Sequence, residues 1–346
     1  MEREVVKDSY GETKTYAVRW LVLAVAVMNG LLRAFYQSCY GPINNVLVKL
    51  LQVKPWQIDW LVIVQSVILF VLAIPFAWIT KRIGLKMSLI WMSAAQCVGC
   101  SLLIIGCWVT EGYYSMLIGQ AFIGVNIILG YGITPVIPAL WFPSNEVASA
   151  VAIQLVARGA GGALGSVTTT LIVNIHQANE VVSFRLTILF AVFLLLSLIL
   201  VIKTYVFIPQ SPVLPPSVAQ MKKQVNNDNQ EDISSADSIE QYCILFKELL
   251  SSSKFMVVAS AVSVLGPVLR SFTILLSSML HKRFSSTPHL NRTSGDLLLG
   301  AWILYTVAAL FTGPIITKNK KISSYHGHQC FHRIYGYGFN FFGTLV

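Results

Sequence analysis

Long apolar runs, separated by short polar joints, dominate the chain. Runs of roughly 20 or more mostly apolar residues fall at about 19–44, 57–79, 86–108, 113–140, 146–173, 184–208, 255–280 and 296–317. Each is long enough to cross a bilayer's hydrocarbon core as a helix. Lipid offers no hydrogen-bond partner to a free peptide group, so every crossing run is expected to be helical. The pattern changes once, after the sixth run. Pro209, Pro212, Pro215 and Pro216 lead into a polar stretch from Lys222 to Asp232 that has too few apolar residues to build a core. This predicts an all-α polytopic membrane protein in five parts: a cytosolic N-terminus (1–18), a six-helix half (19–208), a flexible cytosolic linker (209–254), two helices of a second half (255–318) and an atypical tail (319–346). Six helices, a long loop and further helices is the outline of a two-halved transporter.

Composition supports lipid as the solvent. Of 346 residues, 55% are hydrophobic and only 12% charged, about half the charge of an average soluble domain. The formal charge of +10 does not point to nucleic acid, because the basic residues sit in clusters between apolar runs. Arg3, Lys7, Lys14, Arg19, Lys81, Arg82, Lys86, Lys222, Lys223, Lys247, Lys254, Lys318, Lys320 and Lys321 fall on one side of the expected topology. Lys49, Lys54, Arg185, Lys282, Arg283 and Arg292 fall on the other. By the positive-inside bias the N-terminus is cytosolic. Residues 1–20 lack the pattern of a cleavable signal peptide. The sequon Asn291-Arg-Thr293 then lies on the outer side, as a candidate glycosylation site. Cys97 and Cys100 have redox or zinc spacing inside an apolar run, but no second pair accompanies them, so helix packing is expected. No structural disulfide, metal or cofactor is expected.

Several short segments, in order, carry a family resemblance. Tyr16-Ala-Val-Arg19-Trp begins the first run and Cys39-Tyr40-Gly41-Pro42-Ile43 ends it. Ile58-Asp59-Trp60-Leu61, Ala77-Trp78 with Gly84-Leu85-Lys86, Trp141-Phe142-Pro143 with Asn145-Glu146-Val147, and Pro215-Pro216-Ser217-Val218 follow. The chain resembles the major facilitator superfamily and, within it, solute carrier family 49. It is most similar to the branch of disrupted in renal carcinoma protein 2, and similar also to the feline leukaemia virus subgroup C receptor-related haem and choline transporters. The resemblance covers about residues 16–318. It implies a twelve-helix fold, of which about eight helices are found, and a chain cut short towards its C-terminus. It also implies a lysosomal or plasma-membrane protein. Two positions depart from the family. Lys81 stands where an acidic residue latches the inner gate, and Gln37 stands where the choline branch places a tryptophan.

An intramembrane charge is costly and needs a reason. Arg33 in the first run and Arg270 in the seventh occupy equivalent places in the two halves, an arrangement suited to a carboxylate or phosphate. Tyr36, Gln37 and Tyr40 follow Arg33 at helical spacing, which predicts one polar face. Gln120, Asn126 (matching, conservatively, a glutamine of the choline branch) and Gln154 complete the expected substrate set, with Arg158 one turn beyond Gln154. Lys81, Gly84 and Lys86 are the expected gating joint. Gly159, Gly161, Gly162 and Gly165 form a small-residue seam suited to close helix packing. Tyr242-Cys-Ile-Leu245 fits a tyrosine-based sorting signal. His326, His328, Cys330 and His332 read as an arbitrary tail rather than a metal site.

The expected activity is gradient-driven secondary transport of a small organic solute by alternating access, not enzymatic chemistry. The expected partners are that solute, the bilayer, a co-transported ion and a full-length homologue. The alternatives are a truncated, non-transporting isoform of such a carrier, and a membrane receptor.

Overall fold

A computed structural model describes residues 3–8, 11–143, 146–173, 177–212 and 290–326, with scattered positions between 214 and 284. Among these, the side chains of 3–13, Lys81, Ala309 and 312–326 lie outside the description. The elements are β1 (Arg3–Asp8), β2 (Gly11–Thr15), α1 (Val18–Ser38), α2 (Asn44–Leu51), α3 (Pro55–Gly106), α4 (Gly112–Ile133), α5 (Val136–Trp141), α6 (Val147–Ile172), α7 (Asn179–Phe207) and α8 (Leu290–His326).

Among the described residues, six helical stretches are long and apolar enough to cross a membrane: Val18–Leu51, Pro55–Thr80, Arg82–Gly106, Gly112–Trp141, Val147–Ile172 and Asn179–Phe207. These are the first six expected spans, with the first prolonged through a 3-10 turn (Gly41–Ile43) into α2. The eighth expected span falls within α8. The seventh lies mostly outside the described residues. One element was not foreseen. The polar N-terminus folds back as an antiparallel hairpin, pairing Lys7 with Glu12 and Asp8 with Gly11.

Successive helices run in opposite directions, which gives the bundle two ends. At the hairpin end, Arg19 forms an ion pair with Glu146 (Nη1 to Oε2, 3.1 Å). Its guanidinium also lies 5.3 Å from the centre of the Phe142 ring and 5.4 Å from that of Trp20. The same end holds the sharp break in α3 at Gly84, whose φ of +75° favours glycine. A β-carbon there would also come within 2.9 Å of the Gln210 side chain. Next to the break, Arg82 packs on the Trp78 ring at 4.3 Å and Lys86 lies over Tyr205 of α7 at 5.7 Å. The opposite end holds α2, where Lys49 reaches the carbonyl of Gln177 before α7. There Asn291 at the start of α8 donates to Asn45 (2.9 Å).

Packing inside lipid relies on close approach rather than on a hydrophobic drive, and small residues permit it. Gly99 of α3 and Gly119 of α4 face each other: a β-carbon on either would come within 2.9 Å of the other's carbonyl oxygen. The glycine seam of α6 works on two sides. A β-carbon on Gly161 would fall on the carbonyl of Leu31, and one on Gly165 would lie 2.5 Å from that of Phe35, both in α1. On Gly159 and Gly162 it would fall on Thr306 and the Trp302 ring of α8. Large apolar side chains point outward instead, Phe70 being 87% and Leu304 72% exposed. Such a surface suits lipid, not water.

Candidate functional site

Helix α1 packs against α6, α7, α4, α3 and α5 and buries most of its circumference, with an exposed stripe at Trp20, Ala24 and Met28. Its polar residues therefore divide among several neighbours instead of sharing one wet face. Tyr36 turns towards α3 and α7, where its hydroxyl lies 2.9 Å from Cys100 Sγ and its ring stacks with Phe190. Tyr40 accepts from Gln120 Nε2, and Gln120 Oε1 accepts from Gln65 at 2.5 Å. Asn126 donates to the carbonyl of Met92 at 2.9 Å. Tyr36, Tyr40, Gln120 and Asn126 are thus parts of interhelix hydrogen bonding within the bundle. Gln37 is only partly buried.

Arg33 takes another direction. It is 4% exposed and lines a pocket between α1, α4 and α6, together with Gly130, Tyr131, Thr134, Gln154 and Arg158. Its guanidinium carbon lies 5.1 Å from the centre of the Tyr131 ring, and that of Arg158 lies 5.3 Å from the same centre. Arg158 Nη2 also donates to the Tyr131 hydroxyl at 3.3 Å. Gln154 donates to the carbonyl of Thr134 at 3.1 Å, tying α6 to the end of α4. Gly130 makes room for Arg33, since a β-carbon there would fall on its Nη1 atom. The volume open to water is about 30 Å³, space for about two water molecules. Tyr305 of α8 reaches this region too: it packs 3.2 Å from where a β-carbon of Gly159 would stand.

Of the expected substrate residues, Arg33 and Gln154 therefore meet in the pocket. Tyr131, Gly130 and Thr134 were missed, since a tyrosine or glycine in an apolar run carries no signal of its own. Arg158 was visible only as the residue one turn after Gln154. Arg270, Tyr242 and Leu245 lie outside the described residues. Lys81 is helical, with its side chain outside the description. The amide nitrogen of Asn291, the candidate sugar-bearing atom, is engaged with Asn45 in a part-buried contact.

A second buried polar feature lies beside the pocket. Ser93 of α3 donates to Asn29 of α1 (3.1 Å), and Cys100 meets Tyr36. Gln96 lies between Ser93 and Cys100 on the same helical face, fully buried, with neither amide atom hydrogen-bonded among the described residues. An unmet buried amide costs about 1–3 kcal/mol. Gln96→Leu is accordingly expected to leave the thermal midpoint unchanged or raise it, whereas Ser93→Leu, which strands Asn29, should lower it. Melting curves of the two variants in detergent check the contrast.

The sequence profile of the Major Facilitator Superfamily matches residues 26–329. The chain belongs to that superfamily. It is 28% identical over 221 residues to the choline/ethanolamine transporter flvcr2a of Danio rerio, covering 62% of this chain and 45% of the relative. It is 24% identical over 312 residues to the uncharacterized MFS-type transporter C09D4.1 of Caenorhabditis elegans, covering 90% and 50%. The chain thus spans about half the length of the curated relatives it matches. The second is named as an MFS-type transporter, and the first agrees with the resemblance to solute carrier family 49. Among solved structures it is similar to a bacterial homologue of the human lysosomal transporter Spinster, in an inward-facing and unoccupied conformation. That similarity has a TM-score of 0.62 at 13% identity and covers 88% of this chain and 64% of that one. It establishes the fold. The superfamily and the six apolar helices together make this chain a multi-pass integral membrane protein.

Proposed function

We propose that this major facilitator chain serves secondary transport, moving a small organic solute by alternating access with the solute's own gradient or an ion's as the driving force. The observation that carries the reading is the Arg33–Tyr131–Arg158 pocket, a recess between three helices into which two arginines converge. Midplane sites of this kind are where carriers hold solute while their halves rock. The Danio rerio relative, named for choline and ethanolamine, favours a small solute over a macromolecular ligand. In this reading residues 19–208 are the first half, α8 belongs to the second, and Gly84 with Lys81 and Lys86 forms the gating joint. The basic residues clustered at the hairpin end support a cytosolic position for that end.

Reconstitution tests this. Proteoliposomes containing the full chain should accumulate at least one labelled solute from a set of choline, ethanolamine, succinate and glycerol phosphate above the level of empty liposomes. Uptake should saturate and should collapse when the gradients are dissipated. Uptake indistinguishable from empty liposomes for the whole set would reject transport.

A further inference from the structure

We propose that Arg33 and Arg158, gathered about Tyr131, form a site for the carboxylate or phosphate group of a small organic anion, so that the solute of this chain carries negative charge. The proposal rests on the transporter reading and specifies its substrate class.

Both arginines stay charged, because a guanidinium does not lose its proton in a protein. Like charges drawn to one ring inside a bilayer repel, and intramembrane charges ordinarily find a partner. Here no carboxylate provides it: among the described residues the ion pair Arg19–Glu146 is the only one, and it lies at the hairpin end. The groups acting electrostatically on Arg33 are Arg158, Tyr131 and Tyr305, none of them a carboxylate. Among the described residues Arg158 makes one hydrogen bond, to the Tyr131 hydroxyl, and Arg33 makes none. Most of two five-donor forks is left for a ligand with several acceptor oxygens, which is how arginine grips a carboxylate or phosphate.

The same geometry disfavours a quaternary ammonium. Such a cation needs the open face of an aromatic ring. Tyr131 is the aromatic ring lining this pocket, and two guanidiniums already lie within 5.3 Å of its centre. Arg33 and Arg158 would also repel the cation. The recess is small, about 30 Å³ open to water. That is about two water positions, the footprint of the two oxygens of one carboxylate. The rest of the solute would then extend towards α8, where Tyr305 stands.

The test is equilibrium binding to the full chain in nanodiscs of uncharged lipid, with labelled succinate, labelled glycerol phosphate and labelled choline at constant ionic strength. At least one of the two anions should bind saturably and choline should not compete with it. Arg33→Gln and Arg158→Gln should each weaken that anion at least tenfold, and Arg158→Lys, which keeps the charge but loses the fork, should fall between. A size-exclusion profile like that of the wild type qualifies each variant, and Arg158, being only partly buried, is the safer substitution. The proposal is overturned if neither anion binds the wild-type chain, if choline binds and the arginine variants leave it unaffected, or if both glutamine variants bind the anion like the wild type. Binding without uptake would sink the transporter reading alone. Gradient-driven uptake of choline without anion binding would sink the anion site alone.

Discussion

Gly161→Ala is expected to lower the stability of the bundle by about 3 kcal/mol, the upper range for overpacking. By the usual scaling of unfolding entropy with chain length, this moves the thermal midpoint of a 346-residue chain down by roughly 4 °C. The added carbon would fall on the carbonyl oxygen of Leu31 in α1, and a main-chain atom in the central helix cannot turn aside as a side chain can. Relief requires α1 and α6 to separate, and that separation loosens Gly165 from Phe35 as well. Leu164→Ala on the same helix is the control. Leu164 is 51% exposed on the outer surface, so its truncation in detergent should shift the midpoint little. Fluorescence-detected melting of the two purified variants checks the difference. Equal midpoints would show that α1 and α6 do not meet at Gly161.

Gly130→Ala should do the reverse, sparing the fold while abolishing capture of the anion. The new methyl group would occupy the place of Arg33 Nη1, the far end of a flexible side chain, so Arg33 can swing away with little strain on the backbone. Affinity for succinate or glycerol phosphate should fall at least tenfold, with the melting midpoint close to that of the wild type. Because both substitutions act through one guanidinium, the double variant Gly130→Ala with Arg33→Gln should bind no worse than Arg33→Gln alone. Additive losses in this cycle would mean that Gly130 acts by some other route.

These two glycines also mark how far the sequence could be read. Six apolar runs announced six helices because lipid leaves the backbone only one way to satisfy itself, and the polar stretch after Phe207 ended the first bundle visibly. The seam on α6 was legible as spacing, since four small residues within two turns have few other uses. Which partner each glycine meets was not legible, because that depends on the rotation of α6 between α1 and α8. The same limit explains the site. Arg33, Tyr36 and Tyr40 lie on one helical stripe, so a shared wet face was the natural expectation. The stripe belongs to a helix with several packing neighbours, and its members part company: Tyr36 goes to Cys100, Tyr40 to Gln120, and Arg33 to Tyr131. Nor does periodicity foretell that a glycine on one helix clears the space for an arginine from another. The N-terminal hairpin escaped notice because its alternation is short and mostly charged.

The two edges of α6 differ in what they press against. Towards α1, Gly161 and Gly165 rest on main-chain oxygens; towards α8, Gly159 and Gly162 rest on the movable groups of Thr306 and Trp302. A sliding displacement between α6 and α8 can be absorbed by rotamer changes, while the same slip against α1 would meet rigid peptide. If the chain transports by rocking, as proposed, the motion should therefore shear along the Trp302 edge, with α6 carried as cargo of the first six helices. Crosslinks placed across the two edges would then respond oppositely to solute: silent between α1 and α6, responsive between α6 and α8.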